Sequence, residues 1–475
     1  PLLAEPLAGE VYLGVPESTD PRSGRMFRLF LVLRDVERGL LVKVFGSSTA
    51  DGTVGYGGSG RLTAVFDNNP RVPVSDIKVS LKGGQRGMLA LPRACGSYTT
   101  NAELSPWSGN APVNSPSSFN VAGCTDAFTP SLDAGMDTRA ARSHGAFSFE
   151  FSRREGQQYL RGLTARLPQG LLASVRGVPL CSNAQANAGA CPAGSRIGVV
   201  DAKAGSGDPF VLEEKGEVFL TEGYRGGSYG LLVKVRPIAG PFRGSMELSP
   251  ILVRQAIHVD RATAQVTAIS DPFPLVHHGV PLRVREVTVL VNRPAFMLNP
   301  SDCAAKQVAA DFASDQAATS TAGNAFQAAG CSRLAFKPRL ALRLTGRKQV
   351  RTGKHPGIRA TVTQKGIPEA GIERAEVRLP KSLALDVDNA QALCEFADGT
   401  RPDLEKHCPK GSIVGRARAI SPLLNDPLVG NVYFVKNVRR SASGNVIRTL
   451  PMIVVALRGE IAVNLVGESN VKRGK

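Results

Sequence analysis

The feature that most constrains this chain is a long tandem repeat. The pentapeptide Gly-Glu-Val-Tyr-Leu at 9–13 recurs as Gly-Glu-Val-Phe-Leu at 216–220 and as Gly-Asn-Val-Tyr-Phe at 430–434, with offsets of 207 and 214 residues. Further markers keep the same order, including the Leu-Pro pairs at 167–168 and 379–380. Solenoid repeats span only about 20–50 residues. The repeating unit is therefore predicted to be a domain or a pair of domains.

The cysteines follow the repeat. There are eight, and the long-spaced and short-spaced pairs of the first copy recur in the second. Zinc sites need clustered ligands, yet the chain has no Cys-x-x-Cys and its six histidines lie at unrelated positions. We predict four disulfides, which are typical of proteins outside a reducing cytosol. The predicted pairs are Cys95–Cys124, Cys181–Cys191, Cys303–Cys331 and Cys394–Cys408.

Period-2 alternation and β-branched runs, bounded by Gly, Pro, Asn and Asp, predict an all-β fold. Phe147, Phe149 and Phe151, for example, are expected on one face of a strand. The predicted class is tandem Ig-like β-sandwich modules of two alternating types, stapled by disulfides. The predicted modules are 1–124 (module B), 125–212 (module A, with a short helical cap), 213–331 (module B), 332–427 (module A) and 428–475 (part of a third module B). Local patterns further predict helical turns at 171–175 and 184–190 and a strand at 375–379.

The third module B, at 428–475, stops before the long-spaced cysteine pair. Half a sandwich would leave an apolar face and a sheet edge uncovered. Two explanations are open: the polypeptide continues, or another copy supplies the missing strands head to tail by β-augmentation. We therefore expect self-association or continuation of the same polypeptide at this end.

The net charge of +18 raises the question of nucleic acid. Arg and Lys are scattered along strands and turns, and Trp107 with seven tyrosines offers no stacking platform. Attraction to an anionic cell-wall polymer accounts for the charge equally well. No apolar run reaches the ~18 residues that a membrane span requires. We predict no nucleic acid partner and no membrane span.

Catalytic motifs are weak. Ser228 lies in a Gly-x-Ser-x-Gly string, but a strand pattern follows it where a nucleophile elbow needs a helix, so a hairpin turn is predicted. His277 and His278 follow a Pro-rich turn and are expected in a solvated loop. The run at 386–389 lacks the Gly and the distal Glu of a calcium loop. We predict that the chain is not an enzyme and has no catalytic residue, cofactor or metal.

Four segments carry a family resemblance: Leu-Pro-Gln-Gly-Leu-Leu at 167–172, Gly-Val-Pro-Leu-Cys at 177–181, Cys-Pro-Ala-Gly-Ser-Arg-Ile-Gly at 191–198 and the strand at 216–220. They resemble actinobacterial secreted or cell-surface tandem-repeat proteins of unknown function. The second copy departs from the pattern, with Ser382 in place of Gly170 and the Gly-Val-Pro lost before Cys394. The resemblance implies an extracellular or cell-surface location, and it implies no activity.

Two functions are consistent with these observations. The first is a structural protein of an extracellular fibre, sheath or cell-surface appendage, built from serial disulfide-locked sandwiches, with strand complementation between copies. The alternative is an adhesin or an array of carbohydrate-binding modules. That alternative would use exposed aromatic side chains such as Trp107, which has no counterpart in the second copy.

Overall fold

The fold is described from a computed structural model. It describes residues 7–15, 27–35, 40–51, 61–84, 87–92, 94–125, 127–207, 209–211, 215–237, 249–277, 280–367, 369–380, 383, 392–395, 404–440, 446–448 and 450–469. Strands are the dominant secondary structure of these residues and helices are few, and every paired strand is antiparallel to its neighbour. The predicted all-β, disulfide-stapled class is confirmed.

The N-terminal part forms a four-stranded sheet and a separate hairpin. The sheet strands, paired in chain order, are β1 (Ala8–Gly14), β2 (Phe27–Asp35), β3 (Leu40–Asp51) and β4 (Arg61–Val65). The hairpin pairs β5 (Gly96–Leu104) with β6 (Val113–Val121).

The central part, 131–326, is dominated by one twelve-stranded sheet. Its strands are β7 (Ser131–Met136), β9 (Phe147–Ser152), β10 (Leu160–Arg166), β12 (Arg196–Ala204), β13 (Phe210–Val211), β14 (Gly216–Thr221), β15 (Tyr229–Val235), β16 (Ile251–Val259), β17 (Val266–Ser270), β20 (Val284–Val291), β22 (Lys306–Ser314) and β23 (Thr319–Phe326). Their order is β23-β22-β10-β17-β16-β15-β14-β12-β20-β9-β7, with β13 paired to β12. Short strands form two smaller sheets: β8 (His144–Gly145), β11 (Leu172–Ala173) and β21 (Met297–Leu298) in one, β18 (Val276–His277) and β19 (Val280–Pro281) in the other.

The C-terminal part has a hairpin, a four-stranded sheet and a second hairpin. The strands are β24 (Arg339–Thr345), β25 (Gly357–Thr363), β26 (Ile413–Ala419), β27 (Leu428–Val435), β28 (Val438–Arg440), β29 (Val446–Arg448), β30 (Met452–Arg458) and β31 (Ala462–Gly467). The sheet order is β26-β27-β30-β31. The helices are α1 (Asn183–Asn187) and α2 (Leu404–His407), with 3-10 turns at Ala193–Ser195, Cys331–Arg333 and Lys410–Ser412. Neither helix has the length to cross a bilayer, and the described residues contain no other α-helix.

The twelve-stranded sheet, called the rolled sheet below, curls until its two ends meet. Phe151 on β9 and Phe312 on β22 lie near opposite ends of the strand order, yet their ring centroids are 5.8 Å apart. Asn324 on β23 donates a hydrogen bond of 3.0 Å from Nδ2 to Oδ1 of Asp133 on β7. The sandwich-like packing of two apolar faces thus arises within one sheet that is folded over on itself.

The repeat reappears in the strand pairing. The order β26-β27-β30-β31 reproduces β12-β14-β15-β16, and each copy has a register shift at one place, between Arg196 and Gly198 and between Ile413 and Gly415. An isolated parallel bridge joins Cys181 to Thr221 in one copy, and its counterpart joins Cys394 to Val435 in the other. The C-terminal sheet is therefore the equivalent of one side of the rolled sheet.

The glycine that opens the marker pentapeptide has a steric role. At positions 9, 216 and 430 it lies within the first three residues of the repeated strand, where the neighbouring strand passes very close. A Cβ at any of the three would overlap a backbone carbonyl oxygen, that of Val32, Lys234 or Ala456. Glycine is the residue that allows such an approach, which explains why the marker is visible in the sequence.

The module boundaries 1–124, 125–212, 213–331, 332–427 and 428–475 stay predictions. The pairing adds that strands from 125–212 and from 213–331 alternate within the rolled sheet. Thus β10 lies between β22 and β17, and β12 lies between β14 and β20. These two modules share one interior.

Two local predictions are wrong and one is close. Segment 171–175 holds the short strand β11 rather than a helical turn, because its backbone pairs with β21 and the Val175 N–H donates to the Leu423 carbonyl. Segment 375–379 forms no strand. The helix expected at 184–190 is α1, where the Ser182 hydroxyl accepts from the Gln185 N–H and forms a capping box.

Candidate functional site

The structure joins the eight cysteines in the four pairs that the repeat predicts, Cys95–Cys124, Cys181–Cys191, Cys303–Cys331 and Cys394–Cys408. The two short-spaced disulfides occupy equivalent positions in their repeat units. The Cys181 N–H donates to the Leu220 carbonyl at 3.0 Å, and the Cys394 N–H donates to the Phe434 carbonyl at 2.9 Å. Each of these hydrogen bonds therefore ties a small cap to the end of a sheet strand, β14 in one unit and β27 in the other.

The cap packs on the outer face of the rolled sheet. Cys181 and Ala186 are buried there against Phe219 and Leu232. Because side chains alternate across a strand, the neighbours Val218 and Leu231 point to the opposite face, toward the interior. The cap therefore does not cover the inner face of the rolled sheet.

The interior of the rolled sheet contains an apolar cavity of about 470 Å³. Strands β9, β10, β12, β14, β15, β16, β17 and β20 all contribute to its wall. Small side chains make room on several of them, namely Ala165, Ala202, Ala204 and Ala268. Protein interiors are normally close-packed, so a void of this size is a specific feature of the fold. An apolar void offers water too few polar partners and suits an apolar ligand instead.

One end of the cavity, called the junction end, is bordered by the C-terminal sheet and by the loop between β26 and β27. Leu423, Leu424 and Leu428 line the cavity there, together with Ile461 and Val463. Leu424 and Leu428 belong to the same buried apolar cluster as the phenylalanines of β9. The next repeat unit thus supplies part of the wall of this one.

Backbone and side-chain hydrogen bonds hold the junction. The Val175 N–H donates to the Leu423 carbonyl at 2.9 Å, and the Gly177 N–H donates to Asn425 Oδ1 at 2.8 Å. The Tyr229 hydroxyl donates to Glu460 Oε2 at 2.7 Å. Burial and this neighbouring carboxylate raise the pKa of Tyr229 well above its ordinary value. The tyrosine therefore stays protonated and acts as a donor.

The other end of the cavity, called the basic end, is lined by Ala204, Pro237, Pro274 and Leu282. It lies where β12 ends and β20 begins. Residues 238–248, which follow Pro237, and residues 278–279, which lie between Pro274 and Leu282 in the chain, are outside the described residues.

Arginines surround the basic end. Arg153 is only 4% exposed, its Nε donates to the Val284 carbonyl at 2.7 Å, and its guanidinium lies over the Tyr159 ring. Arg161 donates to the carbonyl of Phe273, another cavity-lining residue, at 2.6 Å. Burial, with the charge of Arg285 added to it, lowers the pKa of Arg153 to about 10. Glu155, which pairs with Arg285, and Asp315 partly offset this positive charge, and a bound anion would offset it further.

Other residues singled out by the sequence have ordinary surroundings. Ser228 lies in the turn between β14 and β15, as predicted. The prediction of a solvated His277 is wrong: this residue is 6% exposed, and its Nε2 lies 2.7 Å from the Ser249 carbonyl oxygen, which explains its burial. Trp107 is exposed, with the Arg71 guanidinium 4.2 Å from its ring centroid. His278 and segment 386–389 lie outside the described residues.

The cavity was missed at the sequence level. The available signal was the inward alternation of Val, Leu and Ile in strands of both predicted modules, such as Leu231, Val233 and Val235. That pattern is identical for a filled core and for a cavity. Comparisons with protein-family models, with curated protein sequences and with solved structures gave no match.

Proposed function

We propose that this chain is an extracellular repeat protein whose complete unit binds the alkyl chain of an acidic amphiphile, such as a fatty acid. The observation that supports this most directly is the apolar cavity inside the rolled sheet. The four disulfides support a location outside a reducing cytosol. Secretion to the cell surface is part of the proposal.

The size of the cavity suits a linear chain. A methylene group takes roughly the ~30 Å³ that a water molecule occupies in the liquid. The 470 Å³ of the cavity then holds about fifteen carbons of an alkyl chain. The cavity lies lengthwise between the basic end and the junction end, which fits an extended chain better than a compact ring system.

The acidic head is expected at the basic end. Arg153 and Arg161 contact backbone carbonyls of the cavity wall there, and Arg285 lies close enough to Arg153 to lower its pKa. Arg285 is paired with Glu155 at this point, but Arg153 and Arg161 still offer an acidic head more positive charge than the junction end, which presents leucines and the carboxylate of Glu460. A charge-assisted contact with a guanidinium is stronger than a neutral one.

A matched pair of variants on β17 tests the proposal. Ala268→Trp places an indole in the cavity, whereas Ile269→Trp places it on the outer face, where Ile269 is 42% exposed. Binding of a fluorescent fatty acid is expected for the native chain and for Ile269→Trp, and is expected to fall by tenfold or more, about 1.4 kcal/mol, in Ala268→Trp. No saturable binding by the native chain, or equal binding by both variants, would rule the cavity site out.

A structural role is the second candidate, and the junction favours it. The C-terminal sheet, equivalent to β12-β14-β15-β16, stacks on the rolled sheet through backbone hydrogen bonds and a shared apolar cluster. Repetition of this contact along a longer array would produce a serial, disulfide-locked fibre, sheath or appendage, held by the same polypeptide or by self-association at 428–475. The net charge of +18 suits contact with anionic cell-wall polymers.

Electron microscopy of the native, purified protein tests the structural role. Extended particles with a regular axial spacing are expected. Compact particles without axial regularity would count against a fibre, while leaving the ligand proposal untouched.

A further inference from the structure

We infer that the apolar cavity does not end at the junction. It continues along the inner face of the C-terminal sheet, which belongs to the next repeat unit, so that one long alkyl chain lies across two units. This inference rests on the proposed alkyl-chain binding. It goes further by making the junction itself part of the site.

The first observation is that the junction wall is apolar. Leu424, Leu428 and Leu457 of the next unit are buried in the same apolar cluster as the interior of the rolled sheet. Ile461 and Val463 line the cavity directly. If the cavity ended at the junction, polar or charged side chains would be expected where it meets the solvent around the next unit. The residues at the junction are apolar instead.

The second observation is that Glu460, the carboxylate beside the passage, is already paired. The buried Asn464 Nδ2 and one guanidinium nitrogen of Arg458 lack a partner among the described residues, but both residues lie on the capped face of β30 and β31, away from Val463. Glu460 accepts from the Tyr229 hydroxyl at 2.7 Å and from the Asp426 N–H at 2.8 Å. The Asn464 N–H donates to the Arg261 carbonyl at 2.8 Å. These contacts fix the two sheets relative to each other without placing an unpaired charge in the path of a chain.

The third observation is the inner face of the C-terminal sheet. On β30, Met452, Val454 and Ala456 are buried under the cap of that unit. The alternate residues Ile453 and Val455 therefore face the other side, in line with the cavity.

This inner face is apolar and becomes more exposed with distance from the junction. Val455 and Val463 pack against the central cluster, but Leu465, paired with Val455, is 53% exposed. The face is continuous with the cavity through Val463, which belongs to both. An alkyl chain that extends out of the cavity is therefore the occupant that this surface fits.

A matched pair of variants on β31 tests the inference. Val463→Trp narrows the junction, whereas Val466→Trp lies on the opposite face of the same strand, where Val466 is exposed. The probes are hexadecanoic and tetracosanoic acids, delivered from cyclodextrin. The native chain and Val466→Trp are expected to bind the longer acid about tenfold more tightly than the shorter one. Val463→Trp is expected to lose that difference, because it weakens binding of tetracosanoic acid about tenfold more than binding of hexadecanoic acid, which loses only the contact with Val463 itself.

The outcomes separate the two claims. If neither acid binds, the proposed function itself fails. If both acids bind the native chain equally, or if Val463→Trp weakens both by the same factor, the cavity binds a chain but ends at the junction. Sedimentation adds a further outcome. A dimer that dissociates when tetracosanoic acid is added supports the inference. A dimer that does not bind this acid shows that a second copy covers the inner face of the C-terminal sheet, and it overturns the inference.

A second measurement covers the case in which Val463→Trp does not fold. Tetracosanoic acid with a photoreactive group at its methyl end is crosslinked to the native chain. Labelled peptides are expected from 452–467, and labelling confined to 216–291 would overturn the inference.

Discussion

Affinity for fatty acids is expected to depend on chain length in a way that the cavity volume sets. Each methylene transferred from water to the apolar interior contributes about 0.8 kcal/mol, which is roughly a fourfold change in Kd. The cavity of 470 Å³ has room for about fifteen carbons. From decanoic to tetradecanoic acid the Kd should therefore fall by close to two orders of magnitude.

The assay is isothermal titration calorimetry with the saturated acids in series. A negative heat-capacity change that grows with each methylene is expected, because burial of apolar surface has this signature. Beyond about fifteen carbons the gain per methylene should become smaller in the native chain, since the inner face past the junction is partly exposed. An affinity that does not depend on chain length, or that is strongest for the shortest acids, would refute an apolar site inside the rolled sheet.

Three further changes test the packing around the cavity. Tyr229→Phe removes a hydrogen bond to the carboxylate of Glu460 and should lower the free energy of unfolding in urea by about 1.5 kcal/mol. Because the pKa of Tyr229 is raised in the folded state, its contribution to stability is complete below pH ~10 and is lost above it, so the native chain should lose stability more steeply than Tyr229→Phe at higher pH. Parallel curves of stability against pH for the two chains would contradict this. Replacing both Cys181 and Cys191 by Ala opens a loop with a separation of 10 and should cost about 2.7 kcal/mol in thermal unfolding; an unchanged Tm would be the opposing result. Phe312→Ala removes a fully buried ring and should cost roughly 3–5 kcal/mol, whereas a loss below 1 kcal/mol in urea unfolding would show that this end of the sheet is open.

The parts of the fold that sequence predicts are those with local or repeated signals. Phe147, Phe149 and Phe151 lie on the buried face of the strand Phe147–Ser152, as their alternation with polar residues predicts. The cysteine pairs followed from the repeat, which reduces the possible pairings to those within one unit. Both signals are visible without knowing how the strands pair.

What sequence could not predict depends on pairing between distant strands. The insertion of β10 between β22 and β17 joins segments roughly 100 to 150 residues apart, and alternation in each strand is compatible with many partners. The cavity exists only because the sheet rolls and brings Phe151 to Phe312. The burial of His277 likewise depends on a carbonyl at Ser249 that is distant in sequence. These features are properties of the whole sheet.

The most direct test of the account is a crystal structure of the chain with a fatty acid brominated at its methyl end. We expect an anomalous bromine peak inside the rolled sheet, beyond Ala268 toward Leu428, with the carboxylate near Arg153. A peak on the outer face of the sheet, or an interior filled by side chains with no space for the ligand, would contradict the central claim.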